Sequence, residues 1–310
     1  MKRALIVTAV LTVLAFAFVG IWVDINQIKS HLKDFPWALL PLIMVFGFCN
    51  DLIKFIRWQI YLKRLGISIP SWKSLNIFIS GLSMSATPGK IGFLIKSQML
   101  KNVSGKPFLA TTSVIGAELY TDLIALSVIS LAGLRFLESG KVIMLLLCVI
   151  PLAGLFPIVP RTAVTLFEHI PRVSHRASDL KKVIEDMFIL FGPGTLLLAL
   201  GVTLLAWTSE GVALHLIIQG MGFELGIVDA TILFGLSTLI GVLSMLPGGL
   251  VVTDASLMGL LIRSSIPATP AALGAIMARL CTLWLSVIIG SLFLIVNRSF
   301  VYAQEREAKA

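Results

Sequence analysis

Five acidic residues fall inside strongly apolar stretches of this sequence: Asp51, Glu118, Asp122, Glu210 and Asp254. In lipid a carboxylate needs a cationic partner, water or a function, so each is a candidate for charge balance, cation binding or proton relay. Asp51, Lys54 and Arg57 recur at intervals of three, which places them on one helical face where the charges can neutralise each other. Arg57 beside Trp58 reads equally as an interface anchor snorkelling toward Lys63 and Arg64. Glu118 and Asp122, four apart, share a face; a salt bridge to Lys90, Lys96 or Arg279 is as natural for them as a cation site. Glu210 and His215 do not line up on a helix, and the histidine reads as a hydrogen-bonded structural residue.

Two Pro-Gly breaks lie near these charges, Thr87-Pro88-Gly89-Lys90 and Leu246-Pro247-Gly248-Gly249. A helix that starts just after such a break points free amides and the positive end of its dipole at the gap, a setting for phosphate or carboxylate. Pro88, Gly89 and Lys90, with Pro247, Gly248 and Gly249, are therefore expected to shape a binding site. Lys96 and Arg279 are expected to attract the anion, while Asp51, Lys54, Glu118, Asp122, Glu210 and Asp254 balance or relay charge.

The elements that must carry these residues are membrane helices. Of 310 residues, 57% are hydrophobic and 13% charged, against roughly 45–50% and 25% in soluble domains. A water-soluble globule is excluded. Full crossings are expected at about 4–23, 37–62, 108–136, 142–159, 195–219 and 271–296, with a basic loop at 160–188. Leu75 to Leu100 and Ile232 to Ile262 are each broken near the middle by Pro-Gly, and half-segments of this length reach only about 20 Å. Two re-entrant helical hairpins are expected there, their tips covered by protein or a wet cavity.

The formal charge of +9 reads as a topology signal. The Lys and Arg distribution places both termini on the cytoplasmic side of an inner or plasma membrane and inserts the two hairpins from opposite faces. Aligning Pro88 with Pro247 also aligns Gly89 with Gly248, Ser97 with Ser256, Met99 with Met258 and Asp51 with Glu210, an offset of 159 residues. The expected fold is thus all-α and polytopic: one integral membrane domain over 1–310, with about six full crossings and two hairpins. Repeat A spans about 37–136 and inverted repeat B about 195–296, an arrangement that places binding near the midplane.

Ser85-Ala86-Thr87-Pro88-Gly89-Lys90-Ile91-Gly92, then Lys96-Ser97 and Leu100-Lys101, resembles the first signature of the flippase-like membrane region of lysylphosphatidylglycerol synthases. Leu246-Pro247-Gly248-Gly249-Leu250 with Thr253-Asp254-Ala255 and Arg279 resembles the second, and Arg57-Trp58 with Leu62, Leu65 and Gly66 resembles the segment before the first hairpin. The sequence departs from the family pattern at Phe93 after Gly92, at Leu119 after Glu118, and in having Asp254 where Glu is usual. The resemblance implies movement of phospholipid or polyprenyl-linked headgroups between leaflets. The family's soluble aminoacyl-transfer domain has no counterpart in these residues, so synthase activity is not expected.

No nucleophile motif, nucleotide loop or metal-ligand spacing is present in the sequence, and Cys49, Cys148 and Cys281 read as small buried hydrophobes. No cofactor or metal is expected, and no enzyme activity. The expected role is translocation of an anionic lipid headgroup. An ion-coupled small-anion transporter, or a non-transporting partner of a lipid-modifying or glycosyl-transferring enzyme, are the alternatives. Membrane lipids are the expected partners, with self-association left open and no nucleic acid.

Overall fold

A computed structural model of the chain describes residues 25–87, 92–137, 140–155, 162, 165, 177–244, 246, 249 and 251–297, with side chains from 29 onward. The described residues are helical and turn-like throughout. After α1 (Ile25–Asp34) and a 3-10 turn (Trp37–Leu39) come α2 (Leu40–Arg64), α3 (Ser71–Leu82), α4 (Leu94–Ser104) and α5 (Phe108–Ala132), which runs into a 3-10 turn to Phe136. Helices α6 (Lys141–Ala153) and α7 (Ala177–Leu190) precede α8 (Pro193–Gly220), α9 (Ile227–Leu243), α10 (Val252–Arg263) and α11 (Ala268–Arg279). A π turn (Leu280–Trp284) joins α11 to α12 (Leu285–Val296).

Four continuous helices are long and apolar enough to cross a membrane: Trp37–Arg64, Phe108–Phe136, Pro193–Gly220 and Ala268–Val296. These are the expected crossings at 37–62, 108–136, 195–219 and 271–296. The expected crossing at 4–23 lies outside the described residues. The one at 142–159 is described only as the 13-residue α6, whose Val142, Ile143, Leu146 and Ile150 are exposed.

Prolines and left-handed residues set the boundaries. Pro70, Pro107 and Pro267 immediately precede α3, α5 and α11, where proline's fixed φ suits a helix entry and its missing N–H leaves no donor unmet. Helices α2 and α8 both end at a left-handed glycine, Gly66 (φ 64°) and Gly222 (φ 85°). In each, a backbone N–H reaches back over the turn, Ile67 to the Leu62 carbonyl at 2.9 Å and Phe223 to that of Ile218 at 3.2 Å.

The segments broken by Pro-Gly are pairs of short helices. Helices α3 and α4 have 12 and 11 residues, α9 and α10 have 17 and 12; at 1.5 Å per residue they reach about 16 to 26 Å. Their packing reaches across the chain: α3 packs on α12, and α9 packs on α5 as well as on its sequence neighbours α8 and α10. A Cβ at Gly290 of α12 would lie 2.3 Å from the Ser83 nitrogen, and one at Gly235 of α9 would lie 2.6 Å from Ile129 Cγ2. The second arms, α4 and α10, pack on α5 and α11, and α2 and α8 form the most extensive helix pair.

Two hydrophobic cores result. One gathers Trp58, Tyr61, Leu62, Phe78, Met99 and Val114; the other gathers Ile43, Leu126, Leu214, Leu233, Leu260 and Ala278. The start of α2 joins the second core and its end the first, while α5 runs the opposite way, so the cores lie at opposite ends of these helices. The charged residues lie between them.

One expectation is corrected. The region expected as a basic loop at 160–188 contains most of α7. Leu180, Val183, Ile184 and Met187 recur at helical spacing, and Met187 fills the space beside Gly116 of α5, 2.8 Å from where a Cβ there would stand.

Candidate functional site

Each membrane-length helix carries its polar residues near mid-length: Asn50 to Arg57 on α2, Glu118 to Asp122 on α5, Thr203 to Glu210 on α8, and Arg279 to Ser286 through the π turn. These residues converge on one cavity of about 390 Å³. Both hairpins reach it, through Ser85, Thr87 and Lys96 from the first and Leu246, Gly249 and Thr253 from the second. Thr87 closes the described part of the first tip by donating to the Met84 carbonyl (2.7 Å) and accepting from the Gly92 N–H (2.9 Å). Gly249, in the left-handed region at φ 65°, closes the second by donating to the Leu246 carbonyl at 3.0 Å. Of the expected tip residues, Pro88, Gly89, Lys90, Pro247 and Gly248 lie outside the described residues.

Lys96 is 2% exposed and its ammonium donates to Glu118 Oε2 at 2.6 Å. The rings of Phe78, Trp58 and Phe93 stand around it with centroids at 4.6, 4.7 and 4.9 Å, so the ion pair is completed by cation–π contacts. Its methylene stem lies where a Cβ at Gly81 would fall, 2.2 Å from Lys96 Cγ. Gly81 is the residue that admits this lysine between α3 and α5.

Arg279 Nε donates to Asp254 Oδ1 at 2.8 Å, tying α11 to α10. The π turn beginning at the next residue brings Thr282 and Ser286 onto the same cavity. The two ion pairs occupy corresponding places, second hairpin arm to following crossing, with the signs exchanged. Lys96 is the arm's cation in the first and Asp254 the arm's anion in the second.

Asp122 receives two cations. Arg57 Nη1 stands 3.0 Å from its Oδ1 and also donates to Thr203 Oγ1 at 2.7 Å, while Lys54 Nζ is 3.4 Å from the same oxygen. Lys54 lies over the Trp207 ring, 4.0 Å from its centroid. Asp51 accepts from the Ser286 hydroxyl, and Asp51 and Glu210 both line the cavity. Next to this group Tyr61 and Thr121 share a 2.6 Å hydroxyl contact, and Asn50 Nδ2 donates to the Ala206 carbonyl at 2.9 Å, linking α2 to α8.

These contacts bear on three local expectations. Lys54 meets a carboxylate outside its own helix, Asp122, because α5 packs against the same face of α2 and presents it there. Arg57 is 2% exposed inside the protein and is not an interface anchor. The open choice for Glu118 and Asp122 resolves into separate salt bridges, Lys96 for one and the Lys54/Arg57 pair for the other. His215 Nδ1 donates to the Leu225 carbonyl at 2.5 Å, a structural bond between α8 and the turn before α9. Sequence reasoning missed Trp207, Thr203 and the ring cage, whose partners are set by packing between helices far apart in the chain.

Residues 5–290 match the family described as the lysylphosphatidylglycerol synthase TM region. Over 91 residues the chain is 32% identical to a "UPF0104 membrane protein" of Methanothermobacter thermautotrophicus. That stretch is 29% of this chain and 27% of the relative's length.

Proposed function

The chain belongs to the lysylphosphatidylglycerol synthase TM-region family, and on that premise we propose that it translocates an anionic phospholipid or polyprenyl-phosphate-linked headgroup between leaflets. One observation carries this reading: all four membrane-length helices bring their mid-length polar residues to a single cavity, between two hydrophobic cores. Charge at that depth is unfavourable unless paired or used, and a polar chamber there lowers the barrier a headgroup meets in crossing hydrocarbon.

In this reading the chain is an inverted repeat, about 37–136 and 195–296. The long-range packing of α3 and α9, the matching left-handed ends of α2 and α8, and the sign-exchanged ion pairs all support it. With the segments at 4–23 and 142–159 the count becomes six crossings plus two re-entrant hairpins, both termini cytoplasmic, in the inner or plasma membrane. Pro88, Gly89, Lys90, Pro247, Gly248 and Gly249 shape the two approaches to the cavity. The cations Lys96 and Arg279 face the headgroup's path, and Asp51, Lys54, Glu118, Asp122, Glu210 and Asp254 balance the charge. The chain performs no covalent chemistry of its own.

Proteoliposomes containing the purified chain and fluorescent phosphatidylglycerol test the proposal, with dithionite reporting exchange between leaflets. Exchange faster than in protein-free vesicles is expected; vesicles carrying folded protein that exchange no faster would refute it. A second reading, transport of a small free anion, is favoured by the cavity's size, since about 390 Å³ is ample for an oxyanion. Phosphate uptake without lipid exchange would select it.

A further inference from the structure

We propose that the end of the molecule where α2 and α4 stop and α3 and α5 start is a docking surface for the headgroups of anionic phospholipids, formed by Lys63, Arg64, Lys73, Lys101 and Lys106. None of these five lines the cavity, and the surface does not depend on the translocation reading.

Connectivity gathers the five cations. Residues 65–70 turn α2 into α3, the first hairpin brings the end of α4 back beside the start of α3, and residues 105–107 turn α4 into α5. Lys63 and Arg64 close α2, Lys73 stands in the first turn of α3, Lys101 in the last turn of α4, and Lys106 just before α5. No acid occurs anywhere between Asp51 and Glu118, so these elements bring no carboxylate to this end. Among the described residues none of the five forms an ion pair: Arg64 donates only to the Ile189 carbonyl at 3.4 Å, and Lys73 Nζ lies 5.7 Å from the Trp72 ring centroid. Helix α7, packed on α5, adds Lys181 and Lys182 with Asp179, Glu185 and Asp186, which leaves a surplus of positive charge. At the opposite end Arg135 already has Asp229 as its partner.

The polar character continues along α4. Gln98 donates to Asn102 Oδ1 at 3.0 Å, and both residues, with Lys101, are half-buried on an 11-residue arm of a membrane protein. At the offset of 159 residues the second hairpin has Leu257, Leu260 and Leu261 instead, which are 2%, 5% and 0% exposed. The helix plan itself therefore does not call for polar side chains there; only the first hairpin keeps them. Trp72, 58% exposed beside Lys73, is the residue type that settles at a membrane–water boundary. Unpaired lysines at such a boundary are drawn to an anionic leaflet, and phosphodiester oxygens accept from ammonium, guanidinium and amide donors alike. A topology signal would need the charges alone, without the tryptophan or the amide pair.

Electron paramagnetic resonance on the full chain in phosphatidylcholine vesicles tests the surface. Trace spin-labelled phosphatidylglycerol is compared with spin-labelled phosphatidylcholine, and the fraction of each immobilised by the protein is read. The wild type should prefer phosphatidylglycerol severalfold, and high salt should remove most of that preference. Lys73→Gln with Lys101→Gln and Lys106→Gln should bring the ratio near one. Lys29→Gln with Lys33→Gln and Lys141→Gln, which takes the same charge from exposed positions at the other end, should leave it unchanged.

A wild type without preference for phosphatidylglycerol would overturn the docking surface, and so would equal losses in the two triple variants, which would make net charge the cause. Preference with the expected variant pattern but no exchange between leaflets would keep the surface and remove translocation. Exchange without preference would do the reverse.

Discussion

Lys96 on α4 and Glu118 on α5 meet at 2.6 Å inside a cage of three aromatic rings. A charge buried this completely is more consequential when one partner is removed than when both are, because the survivor is left unpaired. Lys96→Met should therefore destabilise the chain by about 3–5 kcal/mol, and adding Glu118→Gln should restore most of the loss. Unfolding in mixed micelles by SDS titration measures both; a double variant no better than the single would show that the pair is not what stabilises the hairpin.

Gly81 supports the same lysine from the other side. Its hypothetical Cβ falls 2.2 Å from Lys96 Cγ and 2.4 Å from Cδ, atoms in the locked part of the side chain. Gly81→Ala is expected to cost about 1–3 kcal/mol by overpacking. In a Lys96→Ala background most of that penalty should vanish, and a double-mutant cycle would read the coupling.

Two helical glycines should respond in opposite directions to the same substitution. At Gly290 a Cβ would meet backbone atoms of α3, the Ser83 nitrogen at 2.3 Å and the Leu82 carbonyl carbon at 2.7 Å, which cannot swing aside. Gly290→Ala should lower the melting temperature sharply. Gly201 of α8 has nothing within 4 Å of its Cβ position, and Gly201→Ala should stabilise by up to about 1 kcal/mol through helix propensity.

The salt bridge between Arg135 and Asp229 joins the end of α5 to the start of α9, with side chains 57% and 42% exposed. Such a pair contributes about 0–1 kcal/mol. Arg135→Ala should shift the melting temperature barely, and less still at high salt. A large shift would indicate that this end of the chain is less open than the geometry implies.

The four membrane-length helices and both broken segments were legible because hydropathy, Pro-Gly breaks and helix length are local properties. The partners of the buried charges were not. Asp122, which Lys54 meets at 3.4 Å, lies 68 residues further on, and only the packing of α2 against α5 brings it there. Arg57 looked like an anchor since an Arg-Trp pair near a helix end is common at interfaces; its burial follows from α2 being covered by α5 and α8. Helix α7 was concealed by its basic flank, although its apolar residues repeat at helical spacing. The sign exchange between the Lys96–Glu118 and Asp254–Arg279 pairs becomes visible only when both contacts are known.

The seating of the short helices constrains how this chain can move. Helix α3 rests on α12, and α9 rests on α5 as well as on its neighbours α8 and α10, so each short first arm is braced in part by a helix from a distant stretch of the chain. A tilt of α12 or of α5 must therefore be answered by the arm seated on it, like two people leaning back to back.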